Sequence, residues 1–167
     1  LFAALQYLLP KHLMSRAIYA ITRSRSTFVK NTFLRIFLNL FDINMAEAAQ
    51  PDPFAYRTFN DFFTRALKPG ARPIAIEQEF IVSPVDGTVS QVGELLNESI
   101  LRAKGQHYTL QELLAGDEES ITTYRNGSFA CIYLAPYNYH RIHMPYAGEA
   151  VKNIYVPGEL FSVNAST

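Results

Sequence analysis

The chain has 167 residues, of which 49% are hydrophobic and 18% are charged. This composition is typical of a folded protein and excludes a disordered or low-complexity chain. The net charge is 0, but all the charged residues within 1–41 are basic, so the negative charge lies in the remainder. Such an asymmetry indicates that one end of the chain meets an anionic surface, and no nucleic-acid partner is expected. The basic residues are Lys11, Arg16, Arg23, Arg25, Lys30 and Arg35.

The first segment, residues 1–41, predicts short amphipathic helices at 2–9, at 13–22 and from Ser26 or Thr27 to Phe41. Basic residues recur too often for a transmembrane helix, and their spread is unlike that of a secretory signal. Two interpretations remain. The helices form an interfacial anchor that enters the headgroup region of an anionic membrane, or they form a layer that covers the body of the protein. The absence of acidic residues favours the membrane.

The second segment, residues 42–79, predicts a proline-rich connection with one short helix that begins at Thr58. The third segment, residues 80–167, predicts a β-rich body in which Thr109 caps a small helix through Leu114. Its predicted strands are 80–82, 88–92, 100–103, 128–134 and 151–156, with a turn at 125–127. The sequence therefore predicts an α+β fold, with N-terminal amphipathic helices followed by an antiparallel β-rich body.

Two segments carry side chains suited to proton transfer. Residues 83–89 (SPVDGTV) place Asp86 in a turn between apolar runs, although an Asp-Gly pair is also an ordinary hairpin signal. Residues 137–145 (YNYHRIHMP) contain His140 and His143. An Asp–His pair would act as a general base for a hydroxyl nucleophile, whereas histidines at a strand end are often only hydrogen-bonded. The His-x-x-His spacing lacks a third ligand, so no metal is expected.

Four segments together resemble phosphatidylserine decarboxylase of the bacterial membrane-associated type, and this resemblance covers nearly the whole chain. They are 56–65 (YRTFNDFFTR), 83–87 (SPVDG), 139–145 (YHRIHMP) and 156–164 (VPGELFSVN). The resemblance implies a pyruvoyl enzyme that converts phosphatidylserine into phosphatidylethanolamine in phospholipid biosynthesis. It also implies a proenzyme that cleaves itself at a Leu-Gly-Ser-Thr motif, whose serine becomes the covalent pyruvoyl group, an electron sink for decarboxylation.

The resemblance also implies roles for individual residues. Asp86 and His143 match the acid and the base of self-cleavage, and His140 matches the histidine that stabilises or protonates the product of CO2 loss. Ser162 matches a position near the lipid headgroup. Asn138 departs from the family, which often has Asp at this position.

No Leu-Gly-Ser-Thr motif occurs in the 167 residues, so we expect the N-terminal part of a proenzyme, truncated in its body and inactive alone. The serine that becomes the pyruvoyl group is expected beyond Thr167. The expected partners are phosphatidylserine, an anionic membrane, the small pyruvoyl-bearing chain and a second copy in a homodimer. We expect a peripheral location on the cytoplasmic side of the cell membrane, and a lone Cys131 fits a reducing compartment. The alternative is a biotinyl, lipoyl or phosphotransfer carrier barrel, for which Lys104 is the nearest candidate attachment residue.

Overall fold

A computed structural model describes residues 10–75, 79–95, 101–103 and 106–157 of the chain. In these ranges three α-helices and a 3-10 helix precede the first strand, and two short helices lie between the third and fourth strands. The strands pair antiparallel, which confirms the predicted α+β class. The helices are α1 (Lys11–Thr22), α2 (Thr27–Leu40), a 3-10 helix (Pro53–Ala55), α3 (Phe59–Phe63), α4 (Leu110–Leu113) and α5 (Glu118–Tyr124). The strands are β1 (Thr88–Glu94), β2 (Leu101–Ala103), β3 (Gln106–Tyr108) and β4 (Ser128–Tyr133).

The described residues divide into two compact units. The helical unit comprises those of 13–87 and 134–151, and the sheet unit comprises those of 1–12, 88–133 and 152–167. In the sheet unit, β1 pairs with β4 and β2 pairs with β3. The β1–β4 register runs from Thr88 opposite Tyr133 to Glu94 opposite Ser128. The core of this unit consists of Leu95, Leu110 and Ile121, with Leu114 and Phe129 packed against it.

The core of the helical unit lies between α2 and α3. Leu34 and Phe62 are fully buried, and Phe59 is nearly so. Phe37 on α2 meets the ring of Phe59 edge to face at 5.1 Å and that of Phe62 at 6.1 Å, an arrangement that aromatic quadrupoles favour. Phe59 and Phe62 of α3 therefore face this core.

Two sets of polar contacts hold α2 and α3 in place. The Thr58 side chain accepts a hydrogen bond from the N–H of Asp61, and the Asp61 side chain accepts one from the N–H of Thr58, which forms a capping box. The buried ammonium group of Lys30 donates to the carbonyl oxygens of Phe54 and Tyr56, the latter at 2.8 Å. Lys30 therefore ties α2 to the 3-10 helix, since a buried ammonium group requires such acceptors.

The predicted strand at 80–82 is wrong. This segment instead runs beside 143–145 with two backbone hydrogen bonds, from Val82 N–H to the Pro145 carbonyl (3.0 Å) and from His143 N–H to the Pro84 carbonyl (2.8 Å). Pro84 and Pro145 have no N–H groups with which to extend a ladder. The contact therefore stays too short for a strand, although it holds the two segments together.

The predicted strand at 151–156 is also wrong. Val151 and Tyr155 are 90% and 86% exposed, and within the described ranges no strand pairs with this segment. An apolar sequence pattern does not by itself produce a strand, because the backbone N–H and C=O groups must pair with those of a second strand. The predicted helix at 2–9 lies outside the described residues. Three elements were missed: the 3-10 helix at Pro53–Ala55, β3 and α5. The first two have only three residues each.

Candidate active site

Asp86 and His143 line the same open cavity of about 500 Å³ in the helical unit. Asp86 comes from the turn at 83–87 and His143 from the segment before Pro145. The two backbone hydrogen bonds described above, Val82 to Pro145 and His143 to Pro84, hold these segments side by side. The fold therefore brings together two predicted site residues that are far apart in the sequence.

The carboxylate of Asp86 is fixed by Arg72. The Arg72 Nε lies 3.0 and 2.8 Å from the two carboxylate oxygens of Asp86, and its Nη2 contacts both Asp86 Oδ2 and, at 2.7 Å, Glu47 Oε2. Hydrogen bonds to Asp86 and then Glu47 raise the pKa of the Arg72 guanidinium above its usual range. Because the guanidinium is planar, a fork of this kind fixes the orientation of the carboxylate.

The imidazole of His143 is fixed by Tyr139. Its Nε2 lies 3.0 Å from the Tyr139 hydroxyl oxygen, and the two rings stack with centroids 5.5 Å apart. Within the described residues no hydrogen bond joins His143 to Asp86, whose partner is Arg72. The cavity thus presents an oriented carboxylate and an oriented imidazole as separate groups.

His140 takes a different position and does not line this cavity. Its ring packs on Phe63 of α3 with centroids 4.0 Å apart, and its Nδ1 lies 3.0 Å from the carbonyl oxygen of Asn138. A carbonyl only accepts, so Nδ1 carries the proton and Nε2 of the neutral ring is an acceptor. Burial lowers the pKa of His140 from its ordinary 6.5, and the charge of Arg65 acts in the same direction.

Arg65 is a buried cation beside this histidine. Its side chain is 4% exposed, its Nη2 donates to the Tyr137 carbonyl oxygen at 3.4 Å, and its Nε has no hydrogen-bond partner among the described residues. Burial lowers the pKa of the Arg65 guanidinium. A second arginine, Arg141, lines the cavity and donates from Nε to the Thr64 carbonyl oxygen at 2.9 Å.

Asn138 has a structural role in the loop before the histidines. Its side-chain oxygen accepts from the Ala135 N–H at 2.8 Å, and its own N–H donates to the Ala135 carbonyl. This contact closes the turn that follows β4, and an Asp side chain could accept the same hydrogen bond.

Sequence reasoning missed Arg72, Glu47 and Tyr139 as contacts of the site, and only Tyr139 stood inside a motif that drew attention. Arg72 and Glu47 come from segments that carry no recognisable pattern. In the part of the chain that the structure describes, no group of three or more His, Cys, Asp or Glu side chains is arranged to hold a metal ion.

Three positions named by the sequence prediction lie outside the described residues. Ser162 was assigned to the lipid headgroup, and Lys104 was the candidate attachment residue of a carrier barrel. Thr167 is the third, and the pyruvoyl serine was expected beyond it. The roles of Ser162 and Lys104, and the location of the serine, therefore stay predictions.

Comparison with known proteins gives consistent matches along the chain. The family profile described as phosphatidylserine decarboxylase matches residues 59–167, and a profile described as PSD matches residues 1–42. A relative from Shewanella denitrificans is 52% identical over 98% of this chain and 57% of its own length. Relatives from Saccharophagus degradans (49% identical, all of this chain, 58% of its own length) and Pseudoalteromonas translucida (46%, 98% and 57%) are similar.

These three relatives bear the name phosphatidylserine decarboxylase proenzyme. The chain spans less than two thirds of their length. The family profile covers more than half of the sequence, and the sequence identities to these relatives are close to 50%. Together they establish the family of this chain. The chain belongs to the phosphatidylserine decarboxylase family.

Proposed function

We propose that this chain forms part of a pyruvoyl-dependent decarboxylase that converts phosphatidylserine into phosphatidylethanolamine. The observation that carries the proposal is the shared cavity of Asp86 and His143. Membership of the family, whose relatives are named as proenzymes, supports it. The proposal includes self-cleavage at a serine beyond Thr167 and a second, small pyruvoyl-bearing chain as partner.

In this proposal His143 is the base of self-cleavage. Its Nε2 faces the Tyr139 hydroxyl, which leaves Nδ1 to take the proton from a serine hydroxyl brought into the cavity. Asp86, held by Arg72, lines the same cavity, and its carboxylate stabilises the imidazolium that forms. His140 takes up a proton at Nε2 and delivers it to the carbon that loses CO2, and Ser162 contacts the lipid headgroup.

The lining of the cavity supports the proposal that a pyruvoyl group and the carboxylate of the substrate bind there. Tyr139 and His143 supply groups that exchange protons, and Arg141 supplies a positive charge that attracts a carboxylate. When present, a pyruvoyl group supplies an electron sink for decarboxylation. In this proposal the residues of this chain bind and orient the substrate and transfer protons to and from it.

Self-cleavage of the full-length proenzyme tests these roles. Asp86→Asn and His143→Ala are expected to remain a single uncleaved chain on a denaturing gel. His140→Ala is expected to be cleaved but to lose decarboxylation by roughly a hundredfold or more, as for loss of an acid–base group. The exposed Glu149→Gln is the control and retains both activities. Normal cleavage of His143→Ala would contradict the assignment of the base.

We also propose that α1 and α2 attach the protein peripherally to the cytoplasmic face of an anionic membrane. None of the helices in the described ranges has the length and hydropathy needed to cross a bilayer. No residue of α1 is buried, and its apolar side chains Leu13, Ile18 and Tyr19 are at least half exposed. Phe28 at the start of α2 is 81% exposed. Exposed apolar side chains among basic residues are typical of interfacial helices.

A further inference from the structure

Three arginine side chains gather around a second cavity of the helical unit. Arg23 and Arg25 lie in the loop between α1 and α2, and Arg57 directly precedes the Thr58 cap of α3. The cavity, which we call the arginine pocket, has a volume of about 270 Å³ and shares no lining residue with the cavity of Asp86. Its lining consists of Arg23, Arg25, Arg57, Thr58, Asn60 and Asp61.

The lining of the arginine pocket carries three guanidinium groups and one carboxylate, so its net charge is positive. Asp61 is the single acid in its lining, and the Asp61 Oδ2 already accepts the Thr58 N–H at 3.1 Å. No ion pair joins any of the three arginines to a carboxylate in the described part of the chain. Guanidinium groups that outnumber the neighbouring carboxylates favour an anion that accepts several hydrogen bonds, and phosphate is the closest geometric match.

The surroundings of the arginine pocket indicate where the phosphate comes from. Ile21 precedes Arg23 by two residues and Phe28 follows Arg25 by three, and both side chains are exposed, Phe28 by 81%. Apolar groups next to a cationic pocket match a molecule that carries both a phosphate and acyl chains. A free phosphate would make no use of them.

We propose that the arginine pocket binds the phosphate group of a membrane phospholipid. This inference rests on the proposed membrane attachment of α1 and α2, to which it adds one specific lipid site. Arg57 reaches the site from the segment before α3, so the bound phosphate links the membrane-facing loop to the core of the helical unit. The site is separate from the cavity that contains Asp86 and His143.

Binding of a monomeric lipid tests the proposal without the field of a charged surface. The probe is short-chain phosphatidylglycerol below its micellar concentration, titrated into the full chain by calorimetry. Arg25→Gln and Arg57→Gln are each expected to weaken binding on the order of tenfold, the effect of a lost charge-assisted hydrogen bond. Arg16→Gln removes the same charge from an exposed position of α1 outside the pocket and is expected to leave the affinity unchanged.

Three results would overturn the proposal. Equal losses in Arg16→Gln and Arg57→Gln would show that charge alone acts, and undiminished binding in Arg57→Gln would exclude the pocket. Inorganic phosphate is titrated in parallel, and an affinity equal to that of the lipid would exclude the lipid as its source. Failure of the wild-type chain to bind any vesicle, with Arg57-dependent binding of the monomeric lipid intact, would contradict the membrane attachment alone.

Discussion

At the scale of single residues, Arg72 decides how Asp86 is presented to the cavity. One guanidinium contacts both carboxylate oxygens of Asp86 and also Glu47. A Lys side chain has the same charge but no planar fork, so it cannot reproduce both contacts. Arg72 also lines the cavity, but its guanidinium is engaged with Asp86 and Glu47, so we assign it a positioning role.

Replacement of Arg72 tests this role. Arg72→Met is expected to slow self-cleavage of the proenzyme between about tenfold and a hundredfold, the effect of losing hydrogen bonds to a charged group. Arg72→Lys should restore part of the rate, which a merely structural role would not require. The measurement is the rate of conversion to the two chains, with circular dichroism to confirm folding. Equal rates for Arg72→Met and wild type would contradict the role.

His140 predicts a pH dependence of stability. Burial against Phe63 lowers the pKa of His140 in the folded protein below its ordinary 6.5. As the pH falls below 6.5, His140 in the unfolded chain binds a proton before His140 in the folded chain does. This difference favours unfolding. The contribution of His140 to the stability of the folded protein is therefore fully present above about pH 6.5 and is lost progressively on acidification.

The measurement is the difference in Tm between pH 7.5 and pH 5.5. We expect His140→Gln to show a smaller decrease than the wild type, because the substitution removes the group responsible. His12→Gln, at an exposed position of α1, is the control and should keep the wild-type decrease. Identical decreases in His140→Gln and the wild type would show that this imidazole does not contribute.

At the scale of elements, α2 combines the two interpretations that its sequence left open. Leu34 is buried completely against α3, whereas Phe28, Ile36 and Leu40 on the same helix are more than half exposed. One side of α2 covers the core, and apolar side chains on other sides remain exposed. The contrast with α1, which has no buried residue, separates a helix that is part of the core from one that only presents a surface.

This contrast predicts different costs for similar truncations. Leu34→Ala is expected to lower the free energy of unfolding by about 2–5 kcal/mol, since it removes buried methyl groups and leaves a cavity. Ile36→Ala, at a position that is 53% exposed, should change it by less than about 0.5 kcal/mol. Urea denaturation of both variants provides the comparison. A small effect of Leu34→Ala would show that α2 is not part of the core.

The sequence was most informative where the signal was local. Thr58 was predicted to begin a short helix and Thr109 to cap another, and in the structure both form capping boxes. β1 and β4 were predicted from local strand patterns bounded by turn residues. Segments 80–82 and 151–156 had the composition of strands, but composition does not reveal whether a partner strand exists.

The site was predictable only in part. Asp86 and His143 stood in motifs, and the resemblance supplied their roles. Arg72 and Glu47 carried no local signal, because their contact with Asp86 depends on how distant segments meet. The buried Arg65 was likewise hidden, since an Arg at the end of a short helix is ordinarily exposed.

At the scale of the whole molecule, the net charge of 0 is the sum of a basic N-terminal segment and an acidic remainder. Deletion of residues 1–41 would remove Leu34 from the core, so it cannot test membrane attachment cleanly. Substitutions of exposed side chains avoid this difficulty, because they leave the core intact.

We expect the full chain to float with phosphatidylcholine vesicles that contain phosphatidylglycerol, and added salt to weaken the association by screening. Ile18→Ser and Phe28→Ser should each weaken vesicle binding on the order of tenfold through loss of buried apolar area. Val151→Ser, at a position that is 90% exposed and remote in sequence from α1 and α2, is the control. Unchanged flotation of Ile18→Ser and Phe28→Ser would assign these helices to another role.

The pairing of Thr88 with Tyr133 at the end of the β1–β4 ladder has a consequence for chain entropy. Asp86 precedes this pair and His143 follows it, so once the ladder has formed, only the short segments 86–88 and 133–143 remain to be closed between the two site residues. Each halving of a loop lowers the closure cost by about 0.6 kcal/mol. Shortening or lengthening the chain between β1 and β4 should therefore leave the Asp86 cavity assembled, provided that Thr88 and Tyr133 still pair.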